Sequence, residues 1–295
     1  MSPRLLGTLL ALVSATAFGV MPVLTKVAYD AGASVSGLLS LRFTVAALVL
    51  LALARWRGEL LPRGRQAVAL FLLGAVGYAL QALCYFSALT RISAGLTALL
   101  LYAYPAVVVL LTAALTRVRP DRVSVACVAV ASAGTALTIG PVAGGAWTGV
   151  ALGLGAALTY SVYIVVSARV VPGVGPLAAS ALVLSGAALV YDVGASATGA
   201  SLPGTVRGWS ALLGVALLGT VVAVAAFFAA LRLLGPADTA VISTFEPVVS
   251  VAVAAAALEE SLTPAQLVGG VLVLGAVAIL AKAGGRTPPV PLDAG

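Results

Sequence analysis

Glu246 is the residue with the clearest capacity for chemistry, because it stands inside an apolar run directly before Pro247. Counting from Ala237, near the start of that run, places Glu246 roughly 14 Å deep, close to the middle of a membrane-spanning helix. A carboxylate at that depth costs about 2.5 to 3.5 kcal/mol to insert, so we expect it to face a cavity, a partner or a proton. Two alternatives stay open: a structural ion pair with Arg42, or a pair that both holds the chain together and responds to a solute.

Three prolines interrupt the apolar runs, at Pro22, Pro105 and Pro247. Proline has no backbone N–H, so each one leaves the carbonyl four residues earlier without its helical partner. Irregular backbone at membrane depth is tolerated where it lines a water-filled cavity. We therefore predict that these prolines are hinges beside a binding site, with simple packing kinks as the alternative.

Tyrosines recur at helical spacing. Tyr78, Gln81 and Tyr85 are three and four residues apart, and Tyr160 and Tyr163 are three apart, so each set shares one face of a helix. A wall of such side chains suits an amphipathic solute, because each offers a ring face and a hydrogen bond. Ordinary bundle packing is the alternative. The predicted substrate-binding residues are Glu246, Tyr78, Gln81, Tyr85, Tyr102, Tyr104, Tyr160, Tyr163, Ser243 and Thr244.

Other polar side chains near the ends of apolar runs are interpreted differently. Tyr29 and Tyr191 are expected in the aromatic belt at the membrane surface. Lys26, Asp30 and Asp192 are expected to be solvated charges at the interface, with gating contacts as the alternative.

The composition argues against catalysis. The chain has no histidine, no GxxxxGK[ST] loop, and two cysteines, Cys84 and Cys127, without a CxxC or Cys/His partner. We therefore expect no catalytic residues, no metal site and no cofactor. The net charge of +7 is scattered over the ends of apolar runs, which is not the continuous basic stripe of a nucleic-acid-binding protein.

Hydrophobicity places the chain in a membrane. It is 62% hydrophobic and 8% charged, with a mean hydropathy of +1.17, which is too little polar surface for a soluble protein of 295 residues. Apolar stretches of helical length predict an all-α integral membrane protein of ten transmembrane helices. The predicted spans are 5–27, 34–54, 66–90, 93–116, 121–140, 148–170, 176–196, 208–234, 237–258 and 264–283.

The basic residues orient these spans. Twelve of the 16 Lys and Arg residues fall in loops on one side, three fall on the other, and Arg42 lies within the second span. Because cytoplasmic loops accumulate positive charge, both termini are predicted to be cytoplasmic in a multi-pass protein of the inner (plasma) membrane.

An internal repeat divides the chain. When the sequence is slid along itself until Pro105 falls on Pro247, Tyr85–Phe86 falls on Phe227–Phe228. The same shift, which we call the repeat offset, superimposes two ladders of small residues, which let helices approach closely: Gly7, Ala11, Ala15 and Gly19 on Gly149, Gly153, Ala157 and Ser161. We predict repeats at 1–142 and 143–284 and a disordered tail at 285–295. Since five helices is an odd number, the second repeat would be inverted relative to the first.

The residues resemble the drug/metabolite transporter superfamily, in particular its EamA-type members, over about residues 5 to 283. The resemblance departs from the pattern at Arg117–Val118–Arg119, where the first repeat of such proteins often has a glutamate. The motifs that carry it are Leu41–Arg42–Phe43, Tyr104–Pro105, Phe245–Glu246–Pro247–Val248–Val249, Leu258–Glu259–Glu260–Ser261–Leu262–Thr263, Gln266–Leu267–Val268–Gly269–Gly270, and Leu272 to Gly275.

This resemblance implies a secondary transporter that exports or exchanges a small polar or amphipathic metabolite, an amino acid or a related compound, with a proton or a counter-substrate as its coupling partner. The inverted repeats favour alternating access. The alternatives are a channel-like facilitator and a membrane partner protein without transport. The expected partners are the small-molecule substrate and membrane lipid; a homodimer stays open, and the cargo, the direction and the coupling ion are not determined by the sequence.

Overall fold

A computed structural model describes residues 2–117, 121–139, 146–171, 173–234, 239, 242–243 and 245–284. All the regular elements within these residues are helices. We number them α1 (Pro3–Asp30), α2 (Val35–Trp56), α3 (Gly64–Ala88), α4 (Ala94–Leu101), α5 (Tyr104–Thr116), α6 (Arg122–Ile139), α7 (Trp147–Val170), α8 (Pro176–Thr198), α9 (206–234), α10 (Phe245–Leu258) and α11 (Pro264–Gly284).

Short polar residues fix several helix starts. The side chains of Ser2, Ser34 and Ser93 accept a hydrogen bond from the backbone N–H three residues later. Each satisfies one of the N–H groups that the first turn of a helix leaves without a partner. Helices α1, α2 and α4 therefore begin where the sequence supplies a cap.

The membrane prediction is confirmed in its coarser form. Within the described residues, seven helical segments are long and apolar enough to cross a membrane, with α4 and α5 counted as one segment (Ala94–Leu115), and α6, α10 and α11 contribute shorter apolar stretches. Large apolar side chains such as Leu48, Val76 and Val271 are 63 to 70% exposed. Lipid is the solvent that such a surface fits, so the chain is a multi-pass membrane protein.

The three prolines occupy different places in the helices. The span predicted at 93–116 breaks at Tyr102 and Ala103, so Pro105 lies in the first turn of α5 rather than inside a helix. Helix α10 begins at Phe245, which puts Pro247 in its first turn as well; position 237, the predicted start of that span, lies outside the described residues. Pro22 stays within the continuous helix α1.

Helices α3 and α9 each contain one turn of π-helix, at Leu73–Tyr78 and Leu217–Val222. Such turns insert an extra residue into the helical ladder, and they are common beside functional sites. The two turns overlap when the chain is shifted by the repeat offset, so both halves interrupt the corresponding helix at nearly the same place.

Helices from one half of the sequence pack against helices from the other half. Helix α1 packs along α9 and α10, whereas α7 packs along α3, α4 and α5; α2 lies along α8 and α6 along α11. The small-residue ladders form these contacts, since a Cβ on Gly7 would lie 2.7 Å from Leu234, and one on Gly153 would lie 2.8 Å from Leu100. The small-residue ladders therefore form contacts between helices of the same chain.

The bundle has two ends, which we name after residues at each. At the Glu260 end, Ser34 contacts Ser201, and Lys26 contacts Glu260. At the Gly64 end, Gln66 contacts Val170, and a Glu59 oxygen accepts the backbone N–H of Ala178, the third residue of α8. The predicted repeat boundary at 142 and 143 and the predicted tail at 285–295 lie outside the described residues.

Candidate functional site

A cavity of about 310 Å³ lies between the two halves of the chain. It begins at the middle of the bundle and extends toward the Gly64 end, where Ser180 lines it. Ser180 is four residues from the start of α8, which corresponds to about 6 Å along the helix. A cavity of this size is at the small end of the range for ligand pockets.

One wall of the cavity carries a carboxylate. Glu246 lies in the first turn of α10, and the Tyr102 hydroxyl is 3.0 Å from its Oε2 and 2.9 Å from the carbonyl oxygen of Ser243. Tyr102 lies at the break between α4 and α5, which lets its ring reach across to α10. The carboxylate thus has a neutral hydroxyl as a partner, and it faces the cavity.

A different wall carries a guanidinium. Arg42 on α2 is only 2% exposed, and its Nε donates to the Thr220 Oγ1 at 2.9 Å. Thr220 lies in the π-helical turn of α9, and its hydroxyl in turn donates to the carbonyl of Val215. The guanidinium carbon also lies 5.0 Å from the ring centre of Phe43 and 4.8 Å from that of Phe86, within the range of a cation–π interaction.

The possible ion pair between Arg42 and Glu246 is not formed in this conformation. Within the described residues the two side chains form no salt bridge, because Arg42 bonds Thr220 and Glu246 bonds Tyr102. Tyr85 lines the cavity together with both groups. The cavity therefore separates a positive wall from a negative wall.

Aromatic rings connect these walls. Tyr104, Tyr160, Tyr163 and Tyr78 follow one another with ring centres 4.9, 5.9 and 5.4 Å apart, and Tyr78 continues to Phe43 at 5.5 Å. Edge-to-face, stacked and tilted contacts at these distances stabilise the packing of the rings. The result is a continuous aromatic surface that presents apolar faces and hydroxyl groups to the cavity.

Polar contacts of Glu260 hold helices together at the Glu260 end of the bundle. The carboxylate of Glu260 accepts the backbone N–H groups of Ala94 and Gly95 at 2.9 and 3.2 Å, and it lies 3.8 Å from the Lys26 Nζ. Glu259 has a left-handed backbone with a φ of 54°, which turns the chain after α10 so that Glu260 points at α4. A negative charge at the start of a helix is stabilised by the N–H groups exposed there, so this contact holds α10 against α4.

Nine of the ten predicted substrate-binding residues line the cavity; the tenth, Thr244, lies outside the described residues. Whether the nine bind a substrate stays a prediction, as does the hinge role of Pro22, Pro105 and Pro247.

The prediction that Tyr191 lies in the aromatic belt at the membrane surface is wrong, because this residue is 7% exposed, stacks on Phe43 and donates to the carbonyl of Ala79. Tyr29 is part-buried and donates to the carbonyl of Phe86 at 3.1 Å.

The family model of the EamA-like transporters matches this chain twice, at residues 5–140 and at residues 147–282. The chain belongs to the EamA-like transporter family. The resemblance inferred from the motifs is thereby confirmed, and so is a two-repeat architecture.

The fold of this EamA-like protein is also found among solved structures. One crystal structure matches with a TM-score of 0.68 and 22% sequence identity, over 95% of this chain and 98% of that chain. At this identity the likeness shows the shared fold alone. No curated protein matches the chain significantly.

Sequence reasoning missed several cavity residues that the repeat offset would have revealed. Phe18 and Met21 are the repeat counterparts of Tyr160 and Tyr163, and all four line the cavity. Phe227, the counterpart of Tyr85, also lines it. These three side chains are apolar, so the search for polar groups passed over them, but their equivalence to the tyrosines was visible in the sequence.

Proposed function

We propose that this protein is a secondary transporter that moves a small polar or amphipathic metabolite, an amino acid or a related compound, by alternating access. The observation that carries the proposal is a central cavity between the repeats, with a carboxylate and a guanidinium on separate walls, and with Glu260 holding α10 against α4 at one end of the bundle. Membership of the EamA-like transporter family supports the general class.

The proposed architecture is ten transmembrane helices in two inverted five-helix repeats. The exchange of packing supports it, since α1 contacts α9 and α10 while its counterpart α7 contacts α3, α4 and α5. Two similar halves inserted in opposite directions can exchange conformations, which would close the Gly64 end and open the Glu260 end. The described conformation then corresponds to access from the Gly64 end.

The charge distribution in the loops supports an inner-membrane protein with both termini, and therefore the Gly64 end, at the cytoplasm. A cavity accessible from the cytoplasm suits the loading of a cargo for export or exchange. A proton or a counter-substrate would drive the cycle, and the Glu246 carboxylate is the group we assign to that coupling.

Counterflow in proteoliposomes tests the proposal. Vesicles loaded with a mixture of amino acids should accelerate the uptake of the same labelled compounds, because a carrier exchanges cargo, whereas a channel-like facilitator shows no trans-stimulation and no saturation. We expect Glu246→Gln to lower kcat/KM by about 10- to 100-fold, the effect of losing an interaction with a charged group, or to remove the pH dependence of flux. Unchanged flux with unchanged pH dependence would reject the role of Glu246, and the absence of saturable exchange would reject the carrier.

A further inference from the structure

The surroundings of Arg42 identify one group that the cargo must carry. Arg42 lines the cavity and is 2% exposed, and within the described residues no carboxylate pairs with it. Its Nε bonds a neutral hydroxyl, and Phe43 and Phe86 cover it with their rings. The positive charge thus has favourable contacts but no neutralising partner.

An uncompensated charge inside a protein is strongly unfavourable, which is why buried ions are paired in stable structures. A guanidinium also presents its donors as a planar fork that matches the two oxygens of a carboxylate. With Nε already bonded to Thr220, the orientation of this fork is fixed before any ligand arrives.

We propose that Arg42 is the anion subsite of the cavity and that the cargo binds it through a carboxylate. This inference rests on the proposed transport function, and it narrows the substrate class to solutes with a carboxylate. The opposite wall adds the Glu246 carboxylate, so a solute that also carries an ammonium group complements both walls. The apolar part of such a solute contacts the tyrosine rings.

The charge of the subsite is measured without any cargo, by the reaction of one cysteine with two probes of opposite charge. In a background of Cys84→Ser and Cys127→Ser, Gln81→Cys places a thiol on the cavity wall between Tyr78 and Tyr85. The probes are an anionic thiosulfonate reagent, with a sulfonatoethyl group, and its cationic trimethylammonium analogue. The measured quantity is the ratio of their reaction rates.

Arg42→Gln should lower the ratio of anionic to cationic rate by about tenfold or more, because it removes a unit charge at short range from a site of low dielectric constant. Arg42→Lys should keep the ratio within about twofold of the parent value, since the charge remains. Arg91→Gln is the matched control, because Arg91 is exposed and bonds the carbonyl of Ser87 outside the cavity. A ratio that Arg42→Gln leaves within twofold of the parent would overturn the proposal.

If the Arg42→Gln variant does not fold, the anion subsite is tested by a second measurement, in which added solutes protect the introduced cysteine from labelling. In the parent with Gln81→Cys, L-phenylalanine and 3-phenylpropionate, which carry a carboxylate, should slow the labelling more than phenethylamine, which has only the Glu246 wall and the aromatic rings to bind. Protection by phenethylamine equal to or better than that by the carboxylates would refute the anion subsite. A charge ratio that depends on Arg42 in a protein without counterflow would refute the transport function and leave the subsite standing.

Discussion

The two halves of the cavity wall use equivalent positions of the repeat but carry different chemistry. Arg42 lines the cavity on the first half, and its repeat counterpart Leu184 lines it on the second. Glu246 lines it on the second half, where the first half has Tyr104. Each half therefore contributes one charge at a position where the other half has a neutral side chain.

This difference shows what each half can contribute to a transport cycle. The π-helical turns recur at nearly the same place in both halves, so this interruption of the helical backbone is shared. The charges are not shared, so a solute held between Arg42 and Glu246 is bound by one group from each half. Binding would then couple the relative movement of the halves to occupancy, and three changes examine that coupling, from the largest expected effect to the smallest.

The first change concerns the link between Arg42 and the second half. Thr220→Val removes the oxygen that accepts the Arg42 Nε but keeps the shape of the side chain. We expect KM for a carboxylate cargo to rise about tenfold with a smaller change in kcat, because hydrogen bonds to charged groups contribute about 1.5 to 3 kcal/mol. Steady-state uptake in proteoliposomes measures this split.

Thr220→Ser keeps the hydroxyl and should restore KM to near the parent value. Thr25→Val is the control, because Thr25 is also fully buried but donates within its own helix to the carbonyl of Met21. If Thr25→Val raised KM as much as Thr220→Val, the contact between Thr220 and Arg42 would have no specific role.

The second change concerns the two ends of the bundle, each of which has a carboxylate on a helix start. Glu260 holds α4, and Glu59 holds α8. Glu260→Gln removes the charge that Lys26 and the α4 N-terminus stabilise, so the Glu260 end should open more often. We expect the cysteine introduced by Gln81→Cys to react about fivefold faster in the Glu260→Gln variant than in the parent, when the anionic thiosulfonate is applied to oriented vesicles from the Glu260 end.

Glu59→Gln is the matched control, because it removes a comparable cap from the pair of helices α2 and α8. It should leave the reaction from the Glu260 end unchanged. Equal acceleration by both variants would mean that general loosening, and not the contact of Glu260 with α4, governs access. At the repeat position equivalent to Glu260 the first half has Val118, so Glu59 is not the repeat counterpart of Glu260.

The sequence predicted the lining of the cavity better than its contacts. Tyrosine spacing identified one face of α3 and one of α7, because residues three and four apart must share a helical side. It could not predict that Arg42 turns to Thr220 and away from Glu246, since this choice depends on the rotation of α2 and on the π-helical turn in α9. The prediction for Tyr191 was wrong for the same reason. Its position near the end of a predicted span indicated the membrane surface, but packing against α2 and α3 buries the side chain.

The smallest effect is expected where α1 and α7 meet the helices that carry the cavity. Ser161 on α7 donates to the carbonyl of Tyr104 at 3.1 Å, whereas its counterpart Gly19 on α1 leaves no space, since a Cβ there would lie 2.7 Å from the Glu246 carbonyl oxygen. Gly19→Ala should therefore lower the Tm of the detergent-solubilised protein by a few degrees, because overpacking costs about 1 to 3 kcal/mol. Gly275→Ala, where a Cβ would meet nothing within 4 Å, should leave the Tm unchanged or slightly raised. An unchanged Tm in Gly19→Ala would show that α1 can move away from Glu246 without cost, and the close contact would then have no part in holding the carboxylate against Tyr102.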